Sequence, residues 1–438
     1  MRNVKRRDLL RAALALPLGA CQTTAREPAF AACRALLDRY VAERRVAGMV
    51  LGVVRGRSMP VFLSAGALAL DGAPPVDADS IHRIYSMTKP ITGLATLLCV
   101  ADGLLALDQP LAEIAPEFRE MRVLVDAGRL ETAPAANVIT IRHLLTHTAG
   151  FTYHINGDGP LQRLYRENGL FAQGRAYWPS PGDGSLPASL DEFAARLARL
   201  PLAAEPGRRW EYSVAFDVLG LVIERASGMP FEIYLKRRIF EPLEMSDTDF
   251  YVPRNKIDRL TSNYLVTENG LQSLEDRAAS PFSMREGVNY GGSGLLSTAS
   301  DYARFCDLLL GEGVVNGRRI APREAAHRVG LNLLPPAVQT EGTLLRGAEF
   351  GAGVWIMTPA SARGGEEPPG SYSWAGASGT TMWVDPSSNC AVVLMTQYVP
   401  ATAYPLYSEA RQSFYSDFRS LSLAPAEGPS SAHRRGEP

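Results

Sequence analysis

The apolar positions of the chain follow two periods. Residues 49–54 and 61–68 are β-branched and apolar in turn and predict a pair of strands. Residues 27–45 instead repeat their apolar positions at helical spacing, with Ala31, Ala35, Leu36 and Tyr40 among them. The run 94–100 predicts a buried helix that starts near residue 86 and stops near Gly103. From 104 to 285 the pattern is mostly helical with long loops. Helices are predicted at 141–146, 190–202 and 216–226, the last stopped by Gly228. Segment 157–187 is rich in Gly, Pro, Ser and aromatics and longer than a plain connector needs. A helix over 300–310 carries Asp301 in its first turn. Strand patterns return at 351–357, 379–384 and 391–399, with a turn at 385–389 between the last two. Residues 404–421 predict a closing amphipathic helix. The tail, 422–438, has the composition of a disordered segment.

This order of strands, helices and strands predicts an α+β fold. Residues 27–103 and 286–421 would build one sheet domain, with a mostly helical domain, 104–285, inserted between them. A site at the seam would draw on both parts.

Composition narrows the picture. The formal net charge is -1, without the basic excess that a nucleic-acid partner requires. No apolar run reaches membrane-spanning length. Arg2, Lys5, Arg6 and Arg7 precede a short apolar segment, 9–20, which Arg11 interrupts. Then follow Leu18, Gly19, Ala20 and Cys21, which resemble a lipoprotein signal; Arg6-Arg7-Asp8-Leu9-Leu10 also resembles a twin-arginine signal. These features predict export to the periplasm and a lipid anchor at Cys21, with Gln22 suggesting the outer membrane. The alternative is an unprocessed amphipathic helix. Residues 1–26 are accordingly left out of the fold. The five cysteines fit no metal motif and no dense disulfide framework. Cys99 and Cys390 lie in apolar runs and read as buried thiols. No metal or cofactor is expected.

The first candidate for chemistry is Ser86, with Lys89 three residues on. On a helix these two share a face, and Pro90 fits an early helical turn. Alone the spacing is weak, and a helix cap followed by a surface lysine would give the same letters. However, the chain has only four lysines, Lys5, Lys89, Lys236 and Lys256, among 45 basic residues. Arginine stays protonated in a protein, whereas lysine can lose its proton and act as a base. A neutral amine at Lys89 could take the Ser86 hydroxyl proton.

The second candidate is Tyr212, in a tight loop before a helix. Its phenol could serve as a base if a nearby cation lowered its pKa; otherwise it is a core tyrosine. The third is 372–381, where Trp374, Ala375, Gly376 and Ala377 could bring backbone close to a ligand or form a plain turn before a strand. His147 reads as a structural histidine. The chain has no Gly-x-Ser-x-Gly elbow, no His-Glu-x-x-His and no phosphate-binding Gly-Lys loop.

In this order, Ser86-x-x-Lys89, Tyr212 and Trp374-Ala375-Gly376 resemble the serine β-lactamase and penicillin-binding-protein superfamily. The likeness is greatest to its class C-like branch, which includes family VIII esterases. It extends over roughly 30–420, supported by 144–150, 242–248 and 291–298. The resemblance implies a β-lactamase/transpeptidase-like fold, with a mainly antiparallel sheet flanked by helices. It implies that Ser86 is the acylated nucleophile and that Lys89 takes its proton. Tyr212 would be the partner base, titrating with Lys89, and the Ser86 and Ala377 N–H groups would form the oxyanion hole. Trp374, Ala375, Gly376 and Val214 would line the substrate site.

Two departures shape the expected substrate. The family's β-lactamases carry Tyr-x-Asn where this chain has Tyr212-Ser213-Val214, and Lys-Thr-Gly where it has Trp374-Ala375-Gly376. Val214 cannot hydrogen-bond an amide carbonyl, and Trp374 supplies no cation for a carboxylate. The expected activity is hydrolysis of small-molecule esters. A β-lactamase or D-alanyl-D-alanine carboxypeptidase would need a cation from elsewhere, with Arg285 and Arg346 as candidates. A non-catalytic cell-envelope binding lipoprotein is the third reading.

Overall fold

The computed structural model describes residues 30–423, apart from 57, 71, 172–184, 276, 278, 279, 286, 337 and 363–366. Cys21 and the rest of the segment expected to direct export, Trp178 in the aromatic-rich loop, and the tail beyond 423 lie outside the described residues.

Strands β1 (Gly48–Arg55) and β2 (Val61–Gly66) pair antiparallel, as the alternation at 49–68 predicts. The last third supplies five more strands to the same sheet. They are β3 (Glu349–Phe350), β4 (Trp355–Ile356), β5 (Tyr372–Ala375), β6 (Thr381–Asp385) and β7 (Cys390–Thr396). The order across the sheet is β3-β4-β5-β6-β7-β1-β2, with every neighbouring pair antiparallel. The single strand expected over 351–357 is instead the turn and second arm of a short hairpin. Gly353, at φ 80°, turns the chain back there. The strand expected over 391–399 breaks after Thr396. Tyr398–Val399 pairs in parallel with Tyr264 and Leu265, which ties the chain after this strand to the segment 264–273.

Helices α1 (Ala31–Ala42), α4 (Ala299–Leu310) and α5 (Leu406–Leu423) pack on this sheet, and α2 (Thr88–Ala101) and α3 (Ala215–Ser227) pack on each other in the larger of its two cores. The central strands are apolar at nearly every position because both faces are covered. Met49, Leu51, Val53, Val392 and Leu394 pack with Leu36, Leu37 and Phe414 of α1 and α5. Val50, Val54, Val393 and Met395 point the other way, into the larger core with α2, α3 and α4. The period of two along each strand thus sorts side chains between two cores.

Helix α2 is buried from Thr88 to Cys99, which explains its nearly unbroken apolar sequence. Gly93 lets it press on the β3–β4 turn: a Cβ there would sit 2.2 Å from the Ala352 carbonyl oxygen. Thr92 Oγ1 donates to the Gly291 carbonyl at 2.7 Å, and Thr88 Oγ1 accepts the Leu295 N–H at 3.1 Å. The nucleophile helix is therefore tied to segment 291–295.

The inserted region is less purely helical than expected. Besides its helices it holds two small hairpins, Arg122–Asp126 with Glu131–Pro134 and Tyr264–Thr267 with Gly270–Ser273. Their strands are short and partly polar, so period-two alternation does not show. The helix expected over 190–202 stops at Leu197, ahead of Pro201. Gly228 ends α3 in the left-handed conformation, at φ 69°. Cys33, Cys99, Cys306 and Cys390 are buried free thiols. No described helix is long and apolar enough to cross a membrane.

Candidate active site

Ser86 lies in a single 3-10 turn, Tyr85–Met87, that leads straight into α2. Tyr85 takes a left-handed φ of 44°, a costly conformation for a non-glycine residue held just before the nucleophile. Lys89 follows in the first turn of α2 and is fully buried. Its Nζ donates to Ser86 Oγ at 3.2 Å and to the Gly292 carbonyl at 2.7 Å. Burial pulls the Lys89 pKa below the ordinary lysine value, because an ammonium loses its hydration there; the Asp217 carboxylate opposes that shift.

Tyr212 stands just ahead of α3 and reaches Ser86 Oγ with its hydroxyl at 2.6 Å. Asn156 Nδ2 holds the Tyr212 carbonyl at 2.8 Å. The phenol ring is boxed by His147 at 4.9 Å, Tyr153 at 5.0 Å and Trp374 at 5.7 Å between centroids. Lys89 Nζ lies 4.7 Å from the Tyr212 ring centre. This differs from the expectation of a phenol made acidic by a neighbouring cation. Burial raises the Tyr212 pKa, and the contacts with Ser86 and Trp374 do not reverse it. Tyr212 therefore rests as a phenol, a proton donor rather than a standing base.

The opposite wall comes from β5 and the turn after it. Gly376 closes this turn: its N–H donates to the Thr380 carbonyl at 2.8 Å, and a Cβ there would lie 2.4 Å from the Ile84 carbonyl oxygen. Only glycine lets the turn sit against the backbone two residues before Ser86. Ala377 follows, half-buried, and its N–H pairs with no acceptor among the described residues. Trp374 and Ala375 are half-buried on the strand, beyond the register that β4 covers. The Trp374 indole N–H faces the Tyr212 oxygen and holds its pKa down slightly, without closing into a full hydrogen bond.

Two expected assignments need correction or placement. Val214 is fully buried in the larger core, where the start of α3 packs, so it presents no surface to a substrate. His147 is structural, as expected. It is buried among Trp210, Tyr212, Phe216 and Phe350, with Nδ1 3.1 Å from Ser213 Oγ. Burial holds its pKa well below the ordinary value and keeps it neutral.

Asp217 and Tyr153 were not anticipated. Asp217 is fully buried on the first turn of α3, and its Oδ1 accepts the Gly292 N–H at 2.7 Å. Its pKa is raised by burial, against the pull of Lys89. Tyr153 is buried beside it: a Cβ on Gly292 would lie 3.0 Å from both Asp217 Oδ1 and the Tyr153 hydroxyl. The clue in the sequence was a lone acid in the apolar helix 215–223, five residues after Tyr212.

A family profile described as Beta-lactamase matches residues 33–411. The chain belongs to the beta-lactamase family. Within that superfamily it is a serine hydrolase of the esterase-like branch. The protein Rv1367c of Mycobacterium tuberculosis is 35% identical over 340 residues, covering 76% of this chain and 80% of that protein. The esterase EstB of Burkholderia gladioli is 28% identical over 414 residues, covering 87% and 94%. Among solved structures, EstCE1, titled a hydrolase with promiscuous acyltransferase activity, superposes with a TM-score of 0.72 at 23% identity. It covers 88% of this chain and 97% of its own, a likeness of fold.

For a beta-lactamase family member, the cation-bearing position is unusual. Trp374 packs against Phe350 at 5.4 Å, so an aromatic wall stands there. Two arginines were candidates to supply that cation. Arg285 lies over the Tyr251 ring at 5.5 Å, on the wall of a separate cavity of about 510 Å³. Arg346 is exposed on the segment before β3. Neither makes a contact with Ser86, Lys89 or Tyr212 among the described residues.

Proposed function

We propose that the protein cleaves small neutral carboxylic esters through an acyl-enzyme on Ser86. One observation carries this reading: Ser86 Oγ is held between a desolvated lysine amine at 3.2 Å and a phenol at 2.6 Å. Neutral Lys89 takes the Ser86 proton as Oγ bonds to the ester carbonyl carbon. The oxyanion is received by the N–H groups of Ser86 and Ala377. As the ester C–O bond breaks, Tyr212 gives its proton to the leaving alcohol. The Lys89 ammonium beside its ring then restores it, so the proton count closes. Water reverses the sequence in deacylation.

Charge decides the substrate. β-Lactams and D-alanyl peptides bring a carboxylate that must lose its hydration at the site, and the aromatic wall offers it no cation. Leaving one partner of a buried charged pair unmet costs about 2–5 kcal/mol. A neutral ester carries no such penalty. Relatives support the choice, since EstB is named an esterase and a Penicillium rubens relative a lovastatin esterase. The kcat/KM of one preparation for p-nitrophenyl butyrate should exceed that for a chromogenic cephalosporin. A cephalosporin preference would overturn the substrate reading.

Export with lipid anchoring at Cys21 is a separate part of this proposal, supported by the basic start and the Leu18-Gly19-Ala20-Cys21 stretch. A Cys21→Ser variant that fractionates with membranes like wild type would overturn it.

A further inference from the structure

We propose that Asp217 is a positioning residue for Lys89: it fixes Gly292, whose carbonyl fixes the amine, and its charge balances the ammonium formed when Ser86 gives up its proton. The inference rests on the reading of Lys89 as the base.

The geometry is a short chain of contacts. Asp217 Oδ1 accepts the Gly292 N–H at 2.7 Å, and the Gly292 carbonyl accepts from Lys89 Nζ at the same 2.7 Å. One residue, Gly292, therefore has the acid on its N–H and the lysine on its carbonyl, in the two peptide groups that flank its Cα. The backbone on either side of Gly292 is held as well, because Thr92 holds the Gly291 carbonyl and Thr88 holds the Leu295 N–H. Asp217 Oδ2 and the Tyr153 hydroxyl are buried, each without a hydrogen-bond partner among the described residues. An apolar residue at 217 would fit the surrounding helix run better. Keeping a carboxylate buried at such a site is expensive unless its charge is used.

The groups facing Lys89 are Ser86 on its own element, Tyr212 and Asp217 from the start of α3, and Tyr153 and His147 from the preceding loops. Burial keeps His147 neutral and raises the pKa of both phenols. That leaves Asp217 as the negative charge felt by the lysine. Its carboxylate raises the Lys89 pKa against desolvation.

The sign of the test follows. Asp217→Asn keeps an oxygen for the Gly292 N–H but removes the charge, so the Lys89 ammonium becomes harder to form. The acid limb of kcat/KM for p-nitrophenyl butyrate should move to lower pH by about one unit or more, as for loss of an opposite charge nearby. The fall at the optimum should lie in kcat rather than KM, since Asp217 sits behind the lysine and away from substrate. A purely structural role would lower activity at every pH and leave the limb in place, which would overturn the proposal. A wild-type measurement avoids dependence on the variant's folding. With four lysines in the sequence, protein labelled with 13Cε-lysine gives few signals, and the Lys89 signal is assigned by its loss in Lys89→Arg. That signal should show two inflections, its own and the carboxyl's; a single inflection would overturn the proposal. Absence of any acyl-enzyme on wild type would instead remove the underlying esterase reading.

Discussion

The protein contains two lysine–aspartate constellations built on opposite principles. Lys256 lies 2.8 Å from Asp247 Oδ1, donates to the Ser246 carbonyl at 2.7 Å, and shares the carboxylate with Arg259. Lys89 and Asp217 act on each other without a direct ion pair, through the two peptide groups that flank Gly292 and across buried space. Burial alone would raise the pKa of both acids. At Asp247 the hydrogen bonds from Arg259 and Lys256 overcome it and the pKa is lowered; at Asp217 burial wins and the pKa is raised. A direct, half-exposed pair keeps its charges and serves structure. A buried pair held apart keeps its proton transferable. Contact is thus a poor guide to which lysine does chemistry, and desolvation a better one.

The largest effect should appear when lysine is replaced by arginine at each site. Lys89→Arg keeps the charge but cannot become neutral, so ester turnover should fall by about 10²-fold or more, as for loss of a general base. Lys256→Arg should turn over substrate at the wild-type rate, because only its charge is used. Steady-state kinetics on both variants checks this. A Lys89→Arg enzyme near wild-type turnover would erase the contrast between the two lysines.

A smaller effect should appear in stability at the other pair. Asp247→Asn should cost about 1 kcal/mol near neutral pH, since solvent screens a partly exposed pair, with turnover per folded molecule unchanged. Because the Asp247 pKa is lowered on folding, its contribution is present above the unfolded carboxyl value of about 4 and is lost as pH falls through the folded value. Urea unfolding of wild type and variant should therefore diverge near neutrality and converge in acid. Curves that stay parallel down to the acid end would show that the Asp247 charge contributes nothing.

The contrast also marks what could be read from the chain. Ser86 and Lys89 stood out through their spacing and the scarcity of lysine, whereas Tyr212 and the 374–377 turn read equally as core and plain turn until the order of motifs suggested the resemblance. That early and late strands share one sheet was legible as well, since apolar strands flank a helical middle, but Glu349–Phe350 and Tyr372–Ala375 were not read as strands. Val214 was misplaced because it stands where the family's β-lactamases carry the asparagine of Tyr-x-Asn, whereas an apolar valine at this helix start is buried in the core. Asp217 was missed because its meaning lies in Gly292, 75 residues away in sequence. The small hairpins in the insert were missed because four-residue strands carry too few alternations to read.

The nucleophile itself is tested most directly by intact mass after treatment with a fluorophosphonate probe. Wild type should gain the mass of one covalent adduct, and Ser86→Ala should gain none under the same conditions. An equal adduct on Ser86→Ala, or none on active wild type, would contradict the assignment of Ser86 and with it the acyl-enzyme mechanism.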